Sequence, residues 1–192
     1  MDNLQQQIKV NGIKTGVFLG LIITALSIFS YYFITSVSNS PALFVAGPII
    51  FSIFIPIFLV VFFSFNQRKR IGGFWTFKQA TTGIFIMLLT AYFIQLVGKD
   101  LIFDKLIEPN NVVNTQKVAL AAKAQIMKQR GAKQADIDKS LNDLKEEFSR
   151  QRNMTIAGTA QGIVFSTLFA FVFAIIFASL FKKDPPGYVP EI

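Results

Sequence analysis

Asp100 and Asp104 stand four residues apart, with Glu108 four further on. On an α-helix that spacing places side chains on one face, and a carboxylate pair is raw material for general acid–base chemistry. Lys99 and Lys105 lie beside these acids, so solvated ion pairs are the simpler expectation. Gln95 and Gln161 are the other polar residues of note, each inside a strongly apolar stretch. An interhelical hydrogen bond between them would contribute about 0.6–2 kcal/mol, and a solute-binding pair is the alternative use.

The remaining inventory is mostly one of exclusions. The chain has no histidine and no cysteine among its 192 residues, which removes disulfides, thiol redox chemistry, Cys/His zinc sites and histidine-based triads. There is no phosphate-cradling Gly-Lys-Ser/Thr loop, nucleophile elbow or dinucleotide fingerprint. No catalytic, cofactor-binding or metal-ligating residue is therefore assigned, no cofactor is expected, and the chain reads as other than an enzyme.

The elements that would position these side chains are written in the hydropathy. Hydrophobic residues make up 52% of the chain and charged residues only 16%, against about a quarter charged in soluble domains. A bilayer core of about 30 Å takes roughly 20 apolar residues to cross as a helix. Four stretches meet or approach that length: 17–35, 42–65 (containing Pro48 and Pro56), 81–97, and about 155–181. None contains Lys, Arg, Asp or Glu. The first run has 19 residues, too long for a secretory signal of about 7–15, and reads as an uncleaved anchor.

Charge distribution orients the spans. Lys9 and Lys14 precede the first span, Arg68, Lys69, Arg70 and Lys78 lie between the second and third, and Lys182 and Lys183 follow the fourth. The loop between the first two spans has no charge. The positive-inside rule then puts both termini in the cytoplasm. The segment between spans three and four falls outside despite its 11 Lys and Arg, because long segments cross largely regardless of charge. The net charge of +8 is explained by this topology, and nucleic acid is not an expected partner. Arg68, Lys69 and Arg70 with Phe74, Trp75 and Phe77 read as a membrane-interface anchor.

Residues 98–153 form an extracytoplasmic helical insertion within a single integral domain, 1–192. Helical patterning ends before Pro109, resumes, and stops at Gly131. In the next helix Ile137, Leu141, Leu144 and Phe148 make one apolar seam. Pairing with Val118, Ala122, Ile126 and Met127 gives an internal hairpin; docking of another subunit is the sharper reading.

The last span carries a ridge of small residues at four-residue spacing: Gly158, Gly162, Ser166, Ala170, Ala174 and Ala178. Phe165, Phe169, Phe173, Phe177 and Phe181 form a second ridge beside it. Gly12, Gly16, Gly20 and Thr24 repeat the spacing in the first span. Small residues let helix backbones approach in lipid, so spans one and four are expected to pack together. A homodimer through the same ridge is the other reading.

Several short motifs recur in order along the chain: Gly73, Thr76, Phe77 and Ala80; Leu106 to Pro109; Gly131 followed by Asp136, Ile137 and Asp138; and Lys182, Lys183 and Pro185. In these the chain resembles the bacterial domain of unknown function 4199 family, small four-span membrane proteins found largely in Bacteroidota. The resemblance implies an inner-membrane architecture and brings no activity with it. The expected fold is all-α: a four-transmembrane-helix bundle with an extramembrane helical hairpin between spans three and four. The expected function is a non-catalytic assembly or accessory component making contacts through that hairpin. The alternative is a small-solute permease with a neutral polar path between the spans. The lipid bilayer is the principal partner, with a protein partner or a second copy left open.

Overall fold

The computed structural model describes residues 2–37, 40–152 and 156–186. Charge-free apolar sequence leaves the backbone no partner in lipid but itself, so each stretch closes its hydrogen bonds within a helix. α1 runs Asp2–Tyr32 and continues as a π-helical turn, π1, Phe33–Val37. The second span is α2 (Pro41–Ile49), π2 (Ile50–Phe54) and α3 (Ile55–Arg70). α4 (Phe77–Gln95) passes into a long π-helical segment, π3 (Leu96–Ile107). α5 (Asn111–Gln129) and α6 (Gln134–Arg152) follow, and α7 (Ile156–Phe181) is the fourth span. No strand occurs among the described residues, and four helices are long and apolar enough to cross a membrane. The protein is a multi-pass membrane protein. The expected start of the fourth span at Thr155, and the junction of α6 with α7, lie outside the described residues, as does Ser38.

α4 is the hub of the bundle, packed on α1, α3 and α7. Its Ala80, Ile84, Met87 and Ala91 form the core with Leu19 of α1, Val60 of α3, and Ala174 and Ala178 of α7. The glycine series of α1 is where two backbones come closest, and its partner is α4. A Cβ on Gly16 would lie 2.6 Å from the Met87 carbonyl oxygen, and one on Gly20 would lie 2.9 Å from that of Ala91. At Gly12 the nearest groups are Ile86 and the Gly83 carbonyl, at 3.0 and 3.1 Å. Thr24 prolongs the contact by lying 2.9 Å from where a Cβ of Gly98 would be.

The expected pairing of spans one and four is therefore corrected: span three stands between them, holding α1 on one side and α7 on another. The ridge of α7 is used only in part. Ala174 and Ala178 are buried, Gly158, Ser166 and Ala170 are half-buried, and Gly162 is exposed with open space where a side chain would go. A four-residue repeat drifts about 40° per step around a helix, so a straight neighbour cannot follow it along its length. The phenylalanine ridge stacks along the helix instead, with Phe173–Phe177 and Phe177–Phe181 centroids 6.2 and 5.8 Å apart.

α5 and α6 are joined by a turn in which Gly131 has φ +74°, a conformation glycine adopts without strain. They contact each other, with Lys123 Nζ donating to the Ser140 carbonyl and Arg152 to Gln116 Oε1. Ile137 is buried, and Leu141, Leu144 and Phe148 are half-buried, while most of the remaining α6 residues are exposed.

Candidate functional site

Where α5 and α6 lie against the ends of the first three spans, the helices line an open, partly polar cavity of about 280 Å³. Ser27, Ser30 and Tyr31 reach it from α1, Ile34 from π1, Pro48 from α2 and Ser52 from π2. Lys99 and Asp104 enter from π3, Asn111 and Thr115 from α5, and Phe148 and Gln151 from α6. Each π segment thus contributes to its wall. π-helical turns are rare and concentrate at functional sites.

π3 also rearranges the acidic cluster. The wider π winding brings side chains five apart closer to one face than an α-helix does, and Lys99 Nζ contacts both carboxylate oxygens of Asp104, at 2.6 Å from Oδ2. The ammonium also lies 5.5 Å from the centroid of Phe103. The pair is only 20% and 25% exposed, so it is shielded rather than solvated. Asp100 is exposed and makes no salt bridge among the described residues.

Glu108 ends the helix beside the cavity. Tyr32 donates to its Oε1 at 3.0 Å and Tyr31 to its Oε2 at 3.4 Å, while Asn114 Nδ2 donates to the Tyr31 hydroxyl. Tyr31, Tyr32 and Phe103 pack edge to face. These contacts tie α1, π3 and α5 into one unit around the cavity. Beside it, a larger and mainly apolar groove of about 490 Å³ runs between the start of α2 and the α5–α6 pair. Phe44, Val45, Ile126, Met127, Leu144 and Phe148 line it.

Two groups of sequence-expected residues sit elsewhere. Gln95 is half-buried and Gln161 is exposed, and no hydrogen bond joins them; Gln161 stands on a face of α7 turned away from the bundle. The loop at 68–77 is a clasp more than an interface anchor. Trp75 is 1% exposed, and its Nε1 donates to the Phe181 carbonyl at 3.0 Å. Arg68 donates to the same carbonyl at 3.1 Å, and Trp75 and Lys183 exchange backbone hydrogen bonds. Here an indole that could have sat among headgroups satisfies the unpaired end of α7. Lys69, Arg70, Phe74 and Phe77 remain exposed.

The sequence reading missed the cavity because its serines look self-sufficient in a span and Asn111 lies in the next segment. Ser27, Ser30 and Tyr31 do recur at helical spacing, and that one-sided polar stripe was the available signal.

A family model described as protein of unknown function (DUF4199) matches residues 14–183. The chain belongs to that family. No curated protein and no solved structure matches it. In this DUF4199 chain the motif at Gly73, Thr76, Phe77 and Ala80 builds the entry to α4. Thr76 and Gln79 cap the helix reciprocally, Gly73 takes φ +84°, and Ala80 is fully buried. The matched region includes every residue lining the cavity.

Proposed function

We propose that this DUF4199 protein is a non-catalytic accessory component of a bacterial inner membrane that contacts a partner protein through α5, α6 and the start of α2. The observation carrying this reading is the apolar groove lined by Phe44, Val45, Ile126 and Met127, which an apolar segment of another protein would remove from water. On this reading both termini face the cytoplasm. Arg70 lies beside Asn3, Gln6 and Gln7, and Trp75 is bonded to Lys183, so the basic residues before span one, after span two and after span four share one end of the bundle. That common end is the positive-inside signature.

A photo-crosslinking residue at Met127 in intact cells tests the reading. A discrete protein adduct is expected, lost on Ile126→Glu. Adducts with lipid alone would contradict the role, and adducts with a second copy would replace the partner by a homodimer. The permease reading draws on Ser27, Ser30 and Ser52, neutral polar residues of two spans sharing one cavity. Inward of that cavity, Leu19, Ile84 and Met87 are packed without exposure, so transport would require the core to open. Solute flux into vesicles is its test.

A further inference from the structure

We infer that the cavity between π1, π2, π3 and the α5–α6 pair binds a small, uncharged, polyhydroxylated molecule of about monosaccharide size. The first ground is a contrast among hydroxyls. Thr35, Ser64, Thr81, Thr82, Thr167 and Ser179 each donate to a carbonyl of their own helix, at 2.7–2.9 Å. That is the ordinary way such groups are satisfied away from water. Ser27, Ser30 and Ser52, gathered in the lining of one cavity, make no such bond, and neither does the buried Thr24 outside it.

The second ground is burial. Ser30 is 6% exposed and Asn111 7%, and neither side chain hydrogen-bonds to any other group among the described residues. Buried polar groups are as a rule paired, and leaving them without partners is costly. Both line the cavity, and their polar atoms stay open to it rather than sealed from solvent, so whatever partners them occupies it.

The chemistry of the free groups names the ligand class. The three serines, Thr115, Asn111 and Gln151 can each donate and accept, the complement of a row of hydroxyls. Among the described residues Lys99 and Asp104 are the only charged members of the lining, and they neutralise each other. A charged ligand would have to break that shielded pair; an uncharged one need not. Tyr31 and Phe148 supply ring surface for the C–H faces of a sugar. The volume of about 280 Å³ lies just below the usual range of roughly 300–1,000 Å³ for small-molecule pockets. A free sugar and the sugar headgroup of a glycolipid present the same chemistry here.

The test uses the full chain in nanodiscs of phosphatidylethanolamine and phosphatidylglycerol, avoiding sugar-headed detergents. Binding of D-glucose, D-galactose and myo-inositol is measured by saturation-transfer NMR and flow dialysis, with zwitterionic glycine and anionic acetate as comparisons. A parallel arm adds monoglucosyl diacylglycerol to the nanodiscs and measures its enrichment around the protein. Saturable binding in one arm is expected, with the responding arm identifying the source. It should weaken at least tenfold in Asn111→Leu and in Ser52→Val, and persist in Gln161→Leu. Ser52 is exposed, so Ser52→Val keeps the test open if Asn111→Leu fails to fold. Absence of saturable binding in both arms, equal binding by the cavity variants, or preference for glycine or acetate would overturn the assignment. Binding without flux supports the site while counting against the permease reading, and the Met127 crosslink is read independently of either.

Discussion

Gly16 of α1 lies directly against Met87 of α4, so close that a single methyl on the glycine would stand 2.6 Å from the Met87 carbonyl oxygen. No flexible side-chain end could move aside to admit it, because the obstacle is backbone. Apolar burial gives little drive between helices in lipid, and close van der Waals contact takes its place. The α1–α4 contact is accordingly expected to dominate the cohesion of the bundle.

Gly16→Leu should destabilise the protein by at least the ~1–3 kcal/mol typical of overpacking. Gly162→Leu should leave stability within about 0.5 kcal/mol, as for substitutions away from packed features, since nothing lies within 4 Å of a side chain there. Thermal unfolding of the two variants in one lipid mixture makes the comparison. Equal losses at both positions would contradict the packing described.

Trp75 supports the end of α7 by both bulk and hydrogen bond. Trp75→Ala should cost about 3–5 kcal/mol. Trp75→Phe keeps much of the apolar bulk but removes the Nε1 donor, leaving Arg68 on the Phe181 carbonyl. A smaller loss of about 1 kcal/mol is expected for it. Protease sensitivity of the tail after Phe181, read beside thermal unfolding, separates loosening of the clasp from global unfolding.

Gln67 is 2% exposed, donates through Nε2 to Met87 Sδ at 3.0 Å, and leaves Oε1 buried without a partner. Replacing an imperfectly satisfied polar group by an apolar one of similar shape is commonly neutral or stabilising. Gln67→Met should therefore equal or exceed the parent in melting temperature. A marked fall would mean that the amide makes a contact essential to the bundle.

The Lys99–Asp104 pair should behave as a coupled unit. Either Lys99→Met or Asp104→Leu alone leaves a shielded charge unpaired, at a cost of about 1–3 kcal/mol, below the range for full burial because both side chains keep some exposure. The double variant should recover at least half of that loss in a double-mutant cycle. Additive losses would show the two groups to be independent in solution.

The spans were legible because charge-free runs of that length have few other fates, and the seam of α6 because 4,3,4 spacing defines one face. The partner of a small-residue ridge was not. Gly12, Gly16 and Gly20 announce that some backbone comes close, but nothing in their spacing distinguishes α4 from α7. Ala80, Gly83 and Ala91 held the complementary half of the information, diluted by Met87 between them. The cavity was hidden for a different reason. Its Lys99–Asp104 contact depends on π winding, and five-residue spacing carries no weight in an α-helical reading. Trp75 was misplaced because an aromatic beside a basic cluster has the same composition whether it faces lipid or folds inward.

The central claim is that α5, α6 and the cavity they cover face the side of the membrane opposite both termini. The absence of cysteine allows a direct measurement: labelling of Lys139→Cys and Lys69→Cys in intact cells with a membrane-impermeant maleimide. Modification of position 139 at once, and of position 69 only after permeabilisation, is the predicted result. Equal labelling of both positions, or the reverse order, would contradict the account.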